Sequence, residues 1–222
     1  MPPSLTLMLD RAIAVPASRV DARVRRLRQD HPEATTADLV DLAGHRFRTE
    51  AGVSGGAVGA SAAVPAIGTG TATALTVGQT AVFLSSAVLY VLTVADLHGI
   101  RVVDTERRRA LVLSALLGRE GAEAIQGQLG LSTLFWAAQM LNSMPMSTVR
   151  AVNTRLAKRA TKATAARTGA LALGRLVPFG IGAAVGWAGG RALAAQVVEG
   201  THAALGPAGL TAAPTGAEVI DL

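Results

Sequence analysis

Between Glu50 and Asp96 the chain runs for 45 positions, residues 51–95, without one charged side chain. Ala, Gly, Val, Thr and Leu dominate the stretch. So much uncharged surface is stable only when buried in a protein core or in lipid. The rest of the chain keeps the same tendency. Half of its 222 residues are hydrophobic, only 3% are aromatic and 16% are charged, against about 25% charged in an average soluble domain.

As one helix, the stretch would reach about 68 Å at 1.5 Å per residue. A bilayer core is about 30 Å thick, so one helix is too long and two fit. Pro65 and then Gly68-Thr69-Gly70 supply a break. The expectation is a helical hairpin with arms near 51–66 and 72–95, the second arm being the best membrane-spanning candidate. No basic leader precedes an apolar run at Met1-Pro2-Pro3, so no secretory signal is read and the chain is expected to begin in the cytoplasm.

Elsewhere the signals are also helical. Pro16 to Gln29 reads as a short charged helix. Thr35 and Thr36 are N-cap candidates for a helix over about 37–50. Asp104 caps a helix from Thr105 to Leu117, with Glu106 at its positive end, Gly118 at its stop and Val112, Leu113, Leu116 and Leu117 forming one apolar side. Residues 131–144, with Leu131, Leu134, Phe135, Trp136, Met140 and Leu141, make another apolar helix, ended before Pro145. Ser147 to Arg167 is a basic helix, and 169–198 is a final Gly/Ala-rich helix broken or kinked at Pro178. No strand alternation is evident. The expected fold is all-α: a hydrophobic bundle of about seven helices with Gly-rich hairpins. A charged helical segment spans 1–34, the main helical domain 35–205, and a flexible tail 206–222.

Small residues recur at helical spacing. Gly52, Gly56 and Ala60 form one series, Gly55, Gly59 and Ala63 a second, and Gly182, Gly186 and Gly190 a third. On a helix each series is a smooth stripe that lets another backbone come close, the way helices associate in lipid. An exposed interior Gly costs roughly 1 kcal/mol against Ala, so these glycines need close packing as a compensation. A membrane or membrane-surface helix, a tight soluble core and a flexible loop all remain open on this pattern. The small side chains of 51–70 insert weakly alone, and basic residues flank most of the apolar segments, which puts most connections on one side; hairpins that enter and return satisfy that, as does a bundle lying on the membrane face.

Charge is unevenly placed. Residues 124–198 hold eight basic groups and no acid, although the whole chain is only +6. Within that stretch Arg155, Lys158, Arg159 and Lys162 follow i, i+3, i+4, i+7 spacing and share one helix face. Arg150, Arg167 and Arg175 extend the positive field. Such a face suits anionic lipid headgroups. Nucleic acid is the weaker candidate, because no aromatic residues interleave the basic ones; a plain solvated face is the third option.

Catalytic signals are sparse. Gly52-Val53-Ser54-Gly55-Gly56 matches G-x-S-x-G, but that motif needs a strand before it, and a charged helix precedes it here. Asp96 and His202 follow Ser54 in hydrolase order. Gly68-Thr69-Gly70 lacks the third glycine of a dinucleotide loop, and no Gly-Lys pair exists for a P-loop. The four histidines, His31, His45, His98 and His202, have no ligand spacing, and there is no cysteine. No metal, cofactor or catalytic residue is expected. His98 before Gly99 reads as a helix-end residue rather than a base, and Trp136 and Trp187 as core or interface anchors.

Four segments together resemble the EcsC family of bacterial proteins, chiefly its short actinobacterial members. They are Ala63-Val64-Pro65-Ala66-Ile67-Gly68-Thr69-Gly70; Leu89-Tyr90-Val91-Leu92 leading to His98-Gly99-Ile100; Asp104-Thr105-Glu106-Arg107-Arg108-Arg109; and Arg175-Leu176-Val177-Pro178-Phe179-Gly180-Ile181-Gly182. In order they cover roughly residues 45 to 205. Many members of the family have Tyr-Gly where this chain has His98-Gly99. The resemblance implies an all-helical, hydrophobic, membrane-associated protein and carries over no catalytic residue.

These readings converge on a non-enzymatic helical protein at the cytoplasmic side of the cell membrane, accessory to transport or envelope processes. Its expected partners are anionic membrane lipids and either a second copy or a transporter. The alternatives are a soluble bundle holding a lipid or other apolar ligand, and an enzyme using Ser54 or His98.

Overall fold

A computed structural model describes residues 3–61, 69–129, 137, 144–174 and 181–206. Among them are eight α-helices and no strand: α1 (Pro3–Ile13), α2 (Ala17–Asp30), α3 (Thr36–Ser61), α4 (Thr69–Leu97), α5 (Thr105–Leu117), α6 (Arg119–Leu129), α7 (Met146–Gly174) and α8 (Ile181–Leu205). The expected break at Pro65, most of the apolar helix over 131–144, the kink at Pro178 and the tail beyond Gly206 lie outside the described residues.

Helix α3 starts at a reciprocal cap. The Thr35 N–H and hydroxyl donate to the Asp38 carboxylate at 2.9 and 2.6 Å, and the Asp38 N–H donates back to the Thr35 hydroxyl at 3.2 Å. The helix then runs on past Glu50, so the charged helix and the small-residue arm expected as two elements are one. Nothing between them stops a helix; only the composition changes. The α5 limits fall where Asp104 and Gly118 predict them. The Asp104 carboxylate accepts from the Arg107 N–H at 3.0 Å, and Gly118 takes a positive φ of 64°. Two helices go beyond the sequence reading, α1 and α6.

The core gathers around α4 and α5. In α4, Ala87, Val88 and every residue from Tyr90 to Ala95 are buried, and Phe47 of α3 stacks on Tyr90 with ring centroids 4.9 Å apart and planes 7° apart. Helices α1 and α2 contribute Leu9, Ile13, Val20, Val24 and Leu27 to the same cluster. Every residue from Ala110 to Ala115 is buried, so α5 is enclosed on all sides rather than along the one apolar side its pattern predicts. Helices α7, α8 and α6 surround it.

This burial changes the reading of the expected spanning arm. Gly78–Leu97 is the one stretch among the described residues long and apolar enough to cross a membrane, and more than half of it is buried in protein. Its inner half is the central core helix, which accounts for its hydropathy without lipid. The expected hairpin partner also differs. Helix α3 packs chiefly along α8 and only secondarily against α4.

Candidate functional site

The α3–α8 contact is antiparallel and is built by glycine. A Cβ on Gly55 would overlap the carbonyl oxygen of Gly186, one on Gly186 would overlap that of Gly55, and one on Gly190 would overlap that of Ala51. The four-residue step continues outward to Gly59 and Gly182, both within the two helices. Gly52 and Gly56 do something else: they floor the Trp187 side chain. A Cβ on Gly52 would sit 3.1 Å from the indole Nε1 and 2.8 Å from Arg191 Cγ, and one on Gly56 3.5 Å from Trp187 Cβ. The Arg191 guanidinium lies 4.9 Å from the indole centroid, a cation–π distance.

Outside this seam the three helices keep apolar groups in solvent. Val53 on α3, Val82 on α4, and Val185, Trp187 and Leu193 on α8 are all between 42% and 61% exposed. Gln79 of α4 reaches the Gly55–Gly186 crossing, its Nε2 lying 3.5 Å from where a Gly55 Cβ would stand. The uncharged stretch therefore divides: its α4 end is core, and its α3 end belongs to a half-exposed apolar end of the molecule.

Arg155, Lys158, Arg159 and Lys162 all lie exposed along α7, with Arg150 one turn earlier. Val149, Val152 and Leu156 of the same helix are buried against the bundle, which fixes the basic face outward. The Arg159 guanidinium donates to the Glu120 carbonyl of α6 at 3.3 Å. One carboxylate absent from the α7 sequence reaches the helix in space, that of Glu106, which accepts from Asn153. Arg167 is within α7 and Arg175 lies outside the described residues.

No family model, curated protein or solved structure matches the chain. Its chemistry has to be read from its own side chains.

The hydrolase-like motif lies mid-helix. Ser54 donates its hydroxyl to the Ala51 carbonyl of its own helix at 3.1 Å, and no strand–turn–helix elbow surrounds it. Asp96 faces Arg101 at 3.6 Å. His98 is 4% exposed, its Nδ1 2.8 Å from the Val94 carbonyl oxygen and its Nε2 3.2 Å from that of Gly206. It follows the last residue of α4 and ties that end to the end of α8. No group of three or more metal-ligating side chains occurs among the described residues.

The segment 104–109 is a junction. Asp104 caps α5, Glu106 accepts from Asn153 of α7 at 2.8 Å, and Arg107 donates to the Met144 carbonyl at 3.1 Å. Arg108 donates to the Val102 and Val15 carbonyls at 2.7 and 2.8 Å, and Arg109 pairs with Asp10 of α1. Two stretches remote in sequence, 10–15 and 144–153, are held by four consecutive residues, 106–109.

Two clefts escaped the sequence reading. The larger, about 970 Å³, lies between α2 and α3 and is lined by Arg19, Arg23, Arg25 and Arg26 of α2 and by Arg46 of α3, with Glu50 as the acid. The i, i+4, i+7 spacing of Arg19, Arg23 and Arg26 was its signal, hidden by the near-neutral charge of that part of the chain. The smaller, about 420 Å³, lies between α1, α5 and α7 and is lined by Glu106, Arg109, Arg150, Asn153 and Lys158, among others.

Proposed function

We propose that this is a non-enzymatic protein of the cytoplasmic membrane surface that holds anionic lipid. The observation that carries the reading is the half-exposed apolar end of α3, α4 and α8, with Trp187 under Arg191 beside it. Exposed large apolar groups gathered on one part of a molecule mark an interaction surface. An indole covered by a guanidinium suits a headgroup boundary, where one side is apolar and the other wet. The glycine seam brings the α3 and α8 backbones of this end into direct contact. Arg155, Lys158, Arg159 and Lys162 supply the attraction to anionic headgroups. The likeness to EcsC-family segments belongs to the same proposal, as does a role accessory to transport or envelope processes.

The test is cosedimentation of the full chain with phosphatidylcholine vesicles, with and without phosphatidylglycerol. Binding to the anionic vesicles is expected. Each basic group near such a surface contributes about 1 kcal/mol, so Arg155→Gln with Arg159→Gln should weaken binding roughly 30-fold. Trp187→Ser should weaken it further and make the remainder removable by salt. Binding unaffected by either change would refute the reading.

A further inference from the structure

We propose that the cleft between α1, α5 and α7 binds a small phosphate-bearing polyol. The cleft stands on its own geometry, and Lys158 is the single residue it shares with the lipid-binding face.

Two polar atoms in its wall lack partners. Asn153 is 6% exposed; its amide N–H groups donate to the Glu106 carboxylate at 2.8 Å and carbonyl at 2.9 Å, while its Oδ1 is buried with no donor. Arg109 gives one terminal nitrogen to Asp10, and its Nε is buried with no acceptor. Nearly all buried polar atoms in folded proteins are hydrogen-bonded, and an unpartnered one costs about 1–3 kcal/mol. A donor and an acceptor left unpaired, both on residues that line one cleft, are met by a ligand that has both an anionic oxygen and an O–H.

The rim selects the anion. Arg150 and Lys158 stand exposed at the opening, three residues before and five residues after Asn153 on α7. The two acids of the region, Asp10 and Glu106, are already engaged by Arg109 and Asn153. The remaining hydrogen-bonding capacity is cationic at the rim. Guanidinium forks and an ammonium together fit the several oxygens of a phosphate. The acceptor Oδ1 then requires a hydroxyl a few bonds away. A volume of about 420 Å³ lies within the range of small-molecule sites and admits a phosphorylated three- to six-carbon polyol. The same chemistry occurs in a soluble glycerol phosphate and in the headgroup of phosphatidylglycerol.

The experiment is calorimetric titration of the full chain with glycerol 3-phosphate and with inorganic phosphate, and sedimentation with phosphatidylglycerol vesicles. It compares wild type with Arg150→Gln plus Lys158→Gln, two exposed positions whose change spares the core. Saturable binding of glycerol 3-phosphate, tighter than inorganic phosphate and weakened about tenfold in the double variant, supports a soluble ligand. Failure to bind the soluble compound, with vesicle binding weakened more by Arg150→Gln plus Lys158→Gln than by Arg155→Gln plus Arg159→Gln, supports the headgroup as its source. In either case the Asn153 side-chain amide resonances should shift on binding in wild type. No binding of any of the three probes, or binding that survives loss of Arg150 and Lys158, overturns the proposal. Soluble binding without vesicle binding would refute the membrane reading and leave this site standing.

Discussion

Gly55 of α3 and Gly186 of α8 touch backbone to backbone: a methyl group on either would overlap the other's carbonyl oxygen. A methyl inserted into a filled contact forces the helices apart. Gly55→Ala and Gly186→Ala should each cost about 1–3 kcal/mol in urea denaturation. Gly189, three residues on, has nothing within 4 Å of a Cβ position and is exposed. There the helix preference for Ala is unopposed, and Gly189→Ala should stabilise by up to about 1 kcal/mol. The two signs must differ; stabilisation by both would remove the seam.

Phe47 and Tyr90 form the stacked pair at the centre of the core, and the Tyr90 hydroxyl is buried without a partner. Burial pushes that phenol above its usual range, while Arg48 pulls the other way. Tyr90→Phe removes the unpaired oxygen and keeps the ring, so stability should hold or rise. Phe47→Ala should cost about 3–5 kcal/mol. A loss above about 1 kcal/mol in Tyr90→Phe would mean that the hydroxyl has a partner after all.

Asp104 closes the first turn of α5, whose apolar residues are enclosed on every side. Asp104→Ala should lower stability by about 1 kcal/mol, and Asp104→Asn by much less, since Asn also caps well. Equal losses in thermal melts would show that charge, not capping, is at stake.

Acid should act on the start of α3. The hydroxyl and then the N–H of Thr35 hold the Asp38 carboxyl below its ordinary value of 3.8. A carboxylate depressed in the folded state adds stability that is present above its unfolded value and lost as pH falls through the folded one. The stability advantage of wild type over Asp38→Asn should therefore persist near neutrality and fade below pH 3.8. An advantage that grows with acidity would reverse the assignment.

Helix limits such as Thr105–Leu117 were legible in the sequence because caps are local, set by Asp104 at one end and Gly118 at the other. The all-helical class followed from the same kind of short-range signal. The basic face of α7 was legible as spacing. Its setting was not, because the Glu106 carboxylate and the Glu120 backbone carbonyl reach α7 only through folding. The arginines of α2 were overlooked for a related reason. Their acidic neighbours are drawn away, Asp21 toward Arg101 and Asp30 toward Arg46, and no count along the chain can show that.

The amino-acid order dictates which stretches become helices, which of them lack charge, and that their smallest residues fall into stripes. It leaves open which stripe meets which. Gly55 could have faced its chain neighbour α4, yet it meets Gly186, more than a hundred residues away, and within the same uncharged stretch Tyr90 to Ala95 became core while Val53 and Val82 stayed exposed. Local hydrogen bonding and side-chain sterics act over a few residues and are written in sequence. Pairing of small-residue faces is a competition among all such faces at once, and it is resolved only when the whole bundle closes.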